Sequence, residues 1–343
     1  MATTRGSAFR LVARPLVFFS LLLAAACIAT PPSAPVEAQV LPLEIHARAV
    51  PFKLDESAAH RVGRLIWRGG LVLTANSANF GGWSDLYVTP DGRHLSSISD
   101  VGGWFTATID YDKDGNLGGL TDAHIGPLHG LDGKPLVAKA WSDSEGMAHL
   151  RDGSWLVSFE RHHRIWHYPT LDGVPVPVDG PAEIGRQPDN GGIETLTALD
   201  DGTVIAISEE YREQPGSVVG WIGKPSVGGG YAWEKFRYAT VPDFHPTAIV
   251  RLPDGAFATL ERAFDVVRGV RVRVMRFAAN QLQAGATVHP EELAFLASPY
   301  AVDNLEGISA ARGPRGETLL WLISDDNFNP MQQNLLLMFE LAP

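Results

Sequence analysis

Apolar and polar residues alternate along this chain in short runs, and one arrangement of these runs recurs five times. Each unit has an acidic or polar residue, an apolar alternating run, an Asp-Gly or similar turn, a second apolar run and a further acidic residue. The five units span residues 85–100, 145–160, 194–209, 247–261 and 306–325. Asp-Gly between alternating runs is the strongest short-range signal for a β-hairpin. The pattern therefore predicts five hairpins.

The spacing of these hairpins predicts how they assemble. Successive units begin 60, 49, 53 and 59 residues apart, close to the period of about 40 to 50 residues expected of propeller blades with loop insertions. The sequence therefore predicts an all-β fold, a β-propeller. The segment Gly63–Asn76 reads as strands of a further blade, which Asn334–Leu341 would complete. The expected number of blades is six, with five and seven as alternatives.

The acidic residues at the hairpin ends carry the functional prediction. A hairpin returns both of its ends to one edge of the sheet, so Glu145 and Glu160 are expected on one face. If the hairpins are the inner strand pairs of the blades, five sets of carboxylates converge at one end of the central channel. Like charges so gathered repel, and a bound cation relieves the repulsion. The fourth unit has Thr247 in place of an acid, which makes the predicted ring asymmetric.

Residues 1–38 have the pattern of an export signal. Arg5, Arg10 and Arg14 precede an uncharged and mostly apolar run from Leu16 to Ala26, which is too short for a comfortable membrane span. We expect a soluble extracytoplasmic protein, periplasmic or secreted, whose single domain covers residues 39–343. A lipid anchor at Cys27 is the alternative, because Ala24-Ala25-Ala26-Cys27 is near a lipobox.

Composition and charge narrow the choice of partners. Without residues 1–38, the 28 basic and 39 acidic residues become 25 and 38, and the net charge moves from -11 to -13. Such a charge disfavours nucleic acid as a partner. Cys27 is the only cysteine, so the domain has neither a disulfide nor thiol chemistry. No Gly-x-Ser-x-Gly elbow, Walker loop or dinucleotide fingerprint occurs.

Oxygen-donor groups at the hairpin ends are the candidate metal ligands. Calcium takes six to eight oxygen ligands, which favours carboxylate-rich sites. The densest group is Glu306 with Asp325, Asp326 and Asn327. The predicted calcium ligands are Glu306, Asp325, Glu145, Glu194 and Asp85. The run Asp110–Asn116 begins like a calcium loop, but Thr121 stands where a glutamate is required, so a polar hairpin tip is favoured there.

Two residues are predicted to act on the substrate. Asp326 is the candidate general base, because it stands beside the predicted ligand Asp325. Arg161 directly follows a hairpin-end glutamate, and its guanidinium fork suits a phosphate or carboxylate group. The predicted substrate is a small anionic or ester molecule.

The chain also resembles a known family in several of these units. Asn304–Ala310 with the run LISDDNFN at 322–329, the stretch 79–100 and the stretch 143–161 resemble repeats of the phytase-like family with esterase-like activity. The resemblance covers nearly the whole of residues 39–343. It implies an extracytoplasmic β-propeller related in architecture to calcium-dependent phytases, lactonases and similar esterases, and it does not fix a substrate.

These observations lead to one expected function and one alternative. The expected function is that of a calcium-dependent hydrolase of a phosphate ester or another small ester, with the metal at the channel mouth. The alternative is a non-catalytic envelope propeller, either a scaffold or a ligand-binding protein, in which the same acids are solvated.

Overall fold

The computed structural model describes residue 1, residues 39–56 and residues 59–343. The predicted export signal and the lipobox cysteine lie outside the described residues. Within the described ranges, no helix is long and apolar enough to cross a membrane. Three single-turn helical segments occur there, at Lys139–Ser142, Ile184–Arg186 and Ala279–Gln281.

The strands form five mainly antiparallel sheets, which are the five blades of a β-propeller. Blade 1 comprises Trp83–Val88, His94–Ser99, Gly103–Tyr111, Leu117–Pro127 and Leu41–Leu43. Blade 2 comprises Ser144–His149, Trp155–Phe159, Arg164–Tyr168 and Val176–Val178. Blade 3 comprises Ile193–Ala198, Val204–Ser208, Ser217–Pro225, Tyr231–Ala239 and the parallel strand Thr287–Val288.

The last two blades complete the ring. Blade 4 comprises His245–Arg251, Phe257–Asp265, Gly269–Phe277 and Glu291–Ala297. Blade 5 comprises Asn304–Arg312, Thr318–Asp325, Asn334–Leu341, Leu65–Ala75, Ile45–Ala49 and the short strand Arg61–Val62. All five predicted hairpins are confirmed, and each supplies the first two strands of its blade. The first strands pack side by side around the channel, and that of blade 5 contacts that of blade 1.

The prediction of six blades is wrong by one. The strands Leu65–Ala75 and Asn334–Leu341 do pair with each other, as expected, but Asn334–Leu341 also pairs with Thr318–Asp325. Both therefore belong to the blade of the fifth hairpin. Each blade needs outer strands to cover its inner pair, and the fifth hairpin obtains three such strands, Ile45–Ala49, Arg61–Val62 and Leu65–Ala75, from the start of the domain. This pairing closes the ring between its two chain ends.

Apolar side chains between neighbouring blades form the core. One of these clusters joins Trp321, Leu336 and Leu71 of blade 5 to Trp83 and Phe105 of blade 1. This cluster spans the blades that close the ring. It therefore holds the first hairpin against the closing strands, which are Leu65–Ala75 and Asn334–Leu341.

We expect Leu336→Ala to lower the free energy of unfolding by about 2 to 5 kcal/mol, because Leu336 is fully buried among the closing strands. Met331, which is 87% exposed, offers the control, and Met331→Ala should change stability by less than about 0.5 kcal/mol. Denaturant unfolding of both variants measures the difference. Equal unfolding midpoints for the two variants would show that the packing of Leu336 between the strands that close the ring does not contribute to stability.

Candidate functional site

All five inner hairpins shift register at the same height, and this shift decides which side chains reach the channel mouth. A bulge re-aims side chains and is common beside functional sites. The residues at the shift in the first strands are Ser84, Glu145, Glu194, Thr247 and Glu306. The corresponding residues that follow the shift in the second strands are Asp100, Glu160, Glu209, Arg262 and Asp325. Two tiers of mainly acidic residues are thereby stacked at one end.

These tiers surround a cavity of about 310 Å³. Nine carboxylates line it, namely Asp100, Asp143, Glu145, Glu160, Glu194, Glu209, Glu210, Glu306 and Asp325. Three cations line it as well, namely Lys139, Arg161 and Arg262. With every side chain ionised, the lining would carry six more negative than positive charges. The structure therefore places a strong excess of acid in a small space, as the hairpin geometry predicted.

The carboxyls of blades 2 and 3 are the least compensated. Burial, reinforced by neighbouring carboxylates, raises the pKa of Glu145 and that of Glu194 well above their usual range. Burial likewise raises the pKa of Glu160 to about 8, although the Gly192 amide donates to its Oε1 at 2.6 Å. Without a cation, these side chains retain protons near neutral pH.

The carboxyls of blade 5 have protein partners of their own. Asn304 Nδ2 donates to Glu306 Oε1 at 2.7 Å, and the Asn327 amide donates to Asp325 Oδ1 at 2.5 Å. Burial raises the pKa of Glu306 to about 7, with Arg262 opposing the rise, and it raises the pKa of Asp325 well above its usual range. The blade 5 carboxyls therefore accept hydrogen bonds from the protein, although burial still raises the pKa of both.

Arg262 occupies the blade 4 position that carries a carboxylate in the other four blades. Its Nη2 lies 3.4 Å from Glu306 Oε1 and 3.8 Å from Glu209 Oε1. The preceding residue, Glu261, is turned away and pairs with Arg273 at 2.7 Å. One arginine thus bridges carboxylates of blades 3 and 5 across the gap left by blade 4.

The other two cations converge on one buried carboxylate between blades 1 and 2. Lys139 Nζ lies 2.5 Å from Asp143 Oδ1, and Arg161 Nε donates to Asp143 Oδ2 at 2.7 Å. Lys139 also contacts Asp100 at 2.6 Å. The Arg161 side chain remains 37% exposed, so part of its guanidinium faces the opening of the cavity.

The structure brings together most of the predicted site residues. Glu306, Asp325, Glu145 and Glu194 all line the cavity, and so does Arg161. Two predicted residues, Asp85 and Asp326, lie outside its lining.

Asp85 lies one residue past the register shift, and Ser84 takes the position at the channel mouth. Because side chains alternate along a strand, this offset of one residue keeps the Asp85 side chain out of the channel mouth. Asp85 is buried deeper in the channel, where its carboxyl accepts the amides of Leu86 and Met147 at 2.7 Å each. It ties the inner strand of blade 1 to that of blade 2.

Asp326 is held by the loop that follows blade 5's second strand. Its Oδ1 accepts the amides of Gly82 at 3.0 Å and Phe328 at 3.1 Å, and its Oδ2 accepts Asn334 Nδ2 at 3.0 Å. Three donors therefore occupy this carboxylate, which fixes the loop against blade 1.

The donor set fits a hard cation. Glu160, Glu194 and Glu209 each offer an oxygen within 4.8 Å of the others, and so do Asp143, Glu145 and Glu160. Glu160 belongs to both groups, and both groups contain only oxygen donors, which calcium and magnesium prefer. The Glu145 carboxylate accepts no hydrogen bond within residues 39–56 and 59–343. The best-supported position for a metal is therefore between blades 2 and 3.

Counting from the Asp-Gly turns would have found Arg262, which the acid-to-acid comparison missed by ending the fourth unit at Glu261, and would have placed Ser84 instead of Asp85 at the channel mouth. Glu160, Glu209 and Arg262 each stand seven residues after the turn glycine. Ser84, Glu145, Glu194 and Thr247 each stand seven residues before the turn aspartate. Asp143 and Lys139 lie in the link between blades 1 and 2, where the repeat gives no signal.

The run Asp110–Asn116 forms a polar hairpin tip. Asp112 Oδ1 accepts the amides of Asp114 and Asn116 at 2.8 and 2.9 Å, which is a self-capped turn. Arg68 Nη2 donates to the carbonyls of Asp114 and Gly115. One of the carboxylates that a calcium loop would use, that of Asp112, is therefore engaged in the turn.

The fold and the cavity together define a five-bladed β-propeller with an acidic cavity at one end of its channel. Residues 78–328 match the phytase-like family, which is described as "Esterase-like activity of phytase". This chain belongs to the phytase-like family. No curated protein matches the chain.

Several solved structures are similar to this chain at low identity. A protein of unknown function from Bacteroides caccae is 14% identical, with a TM-score of 0.32, over 69% of this chain and 67% of that one. A putative gluconolactonase is 11% identical, with a TM-score of 0.36, over 78% and 91%. A luciferin-regenerating enzyme is 10% identical, with a TM-score of 0.38, over 76% and 93%.

Proposed function

We propose that this protein is an extracytoplasmic, metal-dependent hydrolase of a phosphate ester or another small ester, and that calcium is its metal. The observation that carries the proposal is the cavity of nine carboxylates and three cations at one end of the channel. Membership of a family described by esterase-like activity supports hydrolysis as the reaction. The location rests on the basic and apolar pattern of residues 1–38.

Glu145, Glu160, Glu194 and Glu209 would hold the cation. Their oxygens form the close groups of the cavity, and burial keeps the pKa of each above its ordinary value. A cation bound at this place would compensate the ionised carboxylates. When bound, calcium would supply Lewis-acid polarisation of a substrate oxygen and orientation of a water molecule. Of the five predicted ligands, Glu145 and Glu194 keep that role in this proposal, whereas Glu306, Asp325 and Asp85 do not.

The cationic side chains would bind and orient the substrate. Arg161 is partly exposed at the opening, and Asp143 holds its Nε, which leaves the terminal nitrogens for an anionic group. A planar guanidinium binds phosphate or carboxylate through paired hydrogen bonds. Arg161 therefore keeps the substrate-binding role that the sequence predicts.

Glu306 is the best-placed proton acceptor. It lines the cavity outside both close carboxylate groups, and Asn304 and Arg262 fix its Oε1. Burial raises its pKa to about 7, and a general base works best when its pKa is near the operating pH. Asp326, which the sequence favours for this role, has its oxygens occupied by three donors.

A substrate panel tests the proposal. Phosphomonoesters, aryl esters and lactones are offered to the wild-type protein in the presence of calcium and then of a chelator. We expect turnover of at least one class, its loss with the chelator and its return with calcium. Glu306→Gln should lower kcat at least about a hundredfold, since proton transfer contributes about 10² to 10⁴-fold. Glu213→Gln is the control, because Glu213 is exposed in blade 3 and pairs with Lys235.

Binding distinguishes the possible failures. Glu306→Gln should still be stabilised by calcium, because the proposed ligands remain. Turnover that is unaffected by the chelator would contradict metal dependence. Stabilisation by calcium without turnover of any substrate would contradict hydrolysis and favour the non-catalytic alternative.

A further inference from the structure

The channel has a second and larger cavity at its other end. Its volume is about 710 Å³, and it is lined by the last residues of the five inner strands and the residues that follow them. The inner strands run from the acidic cavity toward this end, so the two cavities lie on opposite sides of the propeller. None of the residues that line the acidic cavity lines the second one.

Close contacts between inner strands separate the two cavities. A Cβ atom on Gly146 would lie 2.6 Å from the Glu194 carbonyl oxygen, and one on Gly307 would lie 2.7 Å from the Leu86 nitrogen. Such distances are too short for any side chain, so these glycines allow the strands to approach. These contacts lie along the inner strands between the linings of the two cavities.

The charge of the second cavity is opposite to that of the first. Arg151, Arg251 and Arg312 line it, and Asp200 is the exposed acid in the lining. The other lining acid, Asp85, has both of its oxygens on backbone amides. The aspartates of the hairpin turns also lie on this side, but they accept the amides of their own turns and do not line the cavity.

The three arginines differ in how much of their hydrogen-bonding capacity is used. Arg312 donates to the carbonyls of Gly316 and Pro253, which hold its position. Arg251 pairs with Asp200 at 3.1 Å, but Asp200 is 92% exposed, so this pair is weak. Arg151 forms no hydrogen bond or ion pair with any part of the chain that the structure describes. At least one guanidinium is thus available to a ligand.

The lining between these arginines and the close strand contacts is part apolar and part polar. Leu86, Val88, Met147, Ile249 and Ile308 are buried side chains of the inner strands that line the cavity. Apolar walls with a few convergent polar groups are typical of sites for small organic molecules, and such sites have volumes of about 300 to 1,000 Å³.

We propose that this second cavity binds a small organic anion, a carboxylate with an apolar body, whose charged end pairs with Arg151 and whose body lies along the inner strands. Arg312 and Arg251 favour the same charge at the rim. The acidic cavity repels such a ligand unless a metal is bound there, whereas the second cavity attracts it at any metal concentration. The two ends of the channel therefore select ligands of different kinds.

Octanoate is the probe that tests this site. Isothermal titration of the full chain in chelator should give saturable binding of octanoate, weaker binding of acetate, which lacks the apolar body, and weaker binding of octanamide, which lacks the charge. Arg151→Gln should weaken octanoate binding about tenfold or more, because a hydrogen bond to a charged group is lost. Arg93→Gln is the control, since Arg93 is exposed at the blade 1 turn and does not line the cavity.

Each result supports or overturns the site. Arg151 has no partner within the described ranges, so Arg151→Gln should unfold at the wild-type temperature. Arg312→Gln provides a second test of octanoate binding. Glu194→Gln should bind octanoate as the wild type does, which separates this site from the acidic cavity. The proposal is overturned by an absence of saturable octanoate binding, by equal affinity for octanamide, or by an Arg151→Gln affinity equal to that of Arg93→Gln.

Discussion

Replacement of Glu194 with glutamine is expected to weaken calcium binding about a hundredfold and to remove most of the thermal stabilisation that calcium gives. Glu194 lies in one of the close carboxylate groups with Glu160 and Glu209. Glutamine has nearly the same shape but no charge, so a ligand oxygen remains while the main attraction is lost. A loss of about 2.7 kcal/mol corresponds to a hundredfold change in affinity.

The same substitution should not unfold the metal-free protein. Burial and the neighbouring carboxylates raise the pKa of Glu194 well above its usual range, so a neutral side chain suits this place when no cation is present. Calorimetric titration with calcium, together with thermal unfolding with and without it, measures both effects. Glu213→Gln again serves as the control. If Glu194→Gln bound calcium with the wild-type affinity, the proposed position of the cation between blades 2 and 3 would be wrong.

The metal-free protein is expected to lose several kcal/mol of stability as the pH rises from about 5 to 8. Burial raises the pKa of Glu306 to about 7 and that of Glu160 to about 8. In this pH range the folded state therefore holds protons that the unfolded state has released. Stability falls with rising pH wherever the folded state binds more protons, by about 1.4 kcal/mol for each proton and pH unit. This contribution to stability is fully present below the carboxyl pKa of the unfolded state. It is lost as the pH rises through the carboxyl pKa of the folded state.

Calcium should reverse this trend. A bound cation favours the ionised carboxylates, so the protein with calcium should become more stable relative to the metal-free protein as the pH rises. Denaturant unfolding at pH 5, 6, 7 and 8, with chelator or with calcium, gives the two profiles. Glu160→Gln should flatten the metal-free profile near pH 7 to 8. A metal-free protein whose stability increases from pH 5 to 8 would contradict the burial of these carboxyls.

The fold was largely predictable because each hairpin carries its own local signal. The Asp-Gly turns fix the two strands around them, and the alternation of apolar residues fixes the buried face. Blade number depends instead on long-range pairing, which hairpin patterns do not encode. The pairing of Leu65–Ala75 with Asn334–Leu341 was predicted, but nothing local to either strand indicates that they join the sheet of the fifth hairpin.

The site was predictable as a region but not residue by residue. Convergence of Glu145, Glu194 and Glu306 follows from the hairpin geometry, and the structure confirms that they share one cavity. Asp85 differs because a register shift leaves Ser84 at the mouth of the channel. The partners of Asp326 lie far along the chain, at Gly82 and Asn334, so its sequence neighbours could not reveal them.

A crystal structure of the protein with saturating calcium tests the metal site most directly. The account predicts an ion in contact with oxygens of Glu160 and Glu194, at about 2.3 to 2.6 Å as is usual for calcium. Anomalous scattering identifies the ion, and a crystal of Glu194→Gln prepared in the same way should lack it. Well-ordered carboxylates around a cavity without an ion, at a calcium concentration that saturates any binding in solution, would contradict the account.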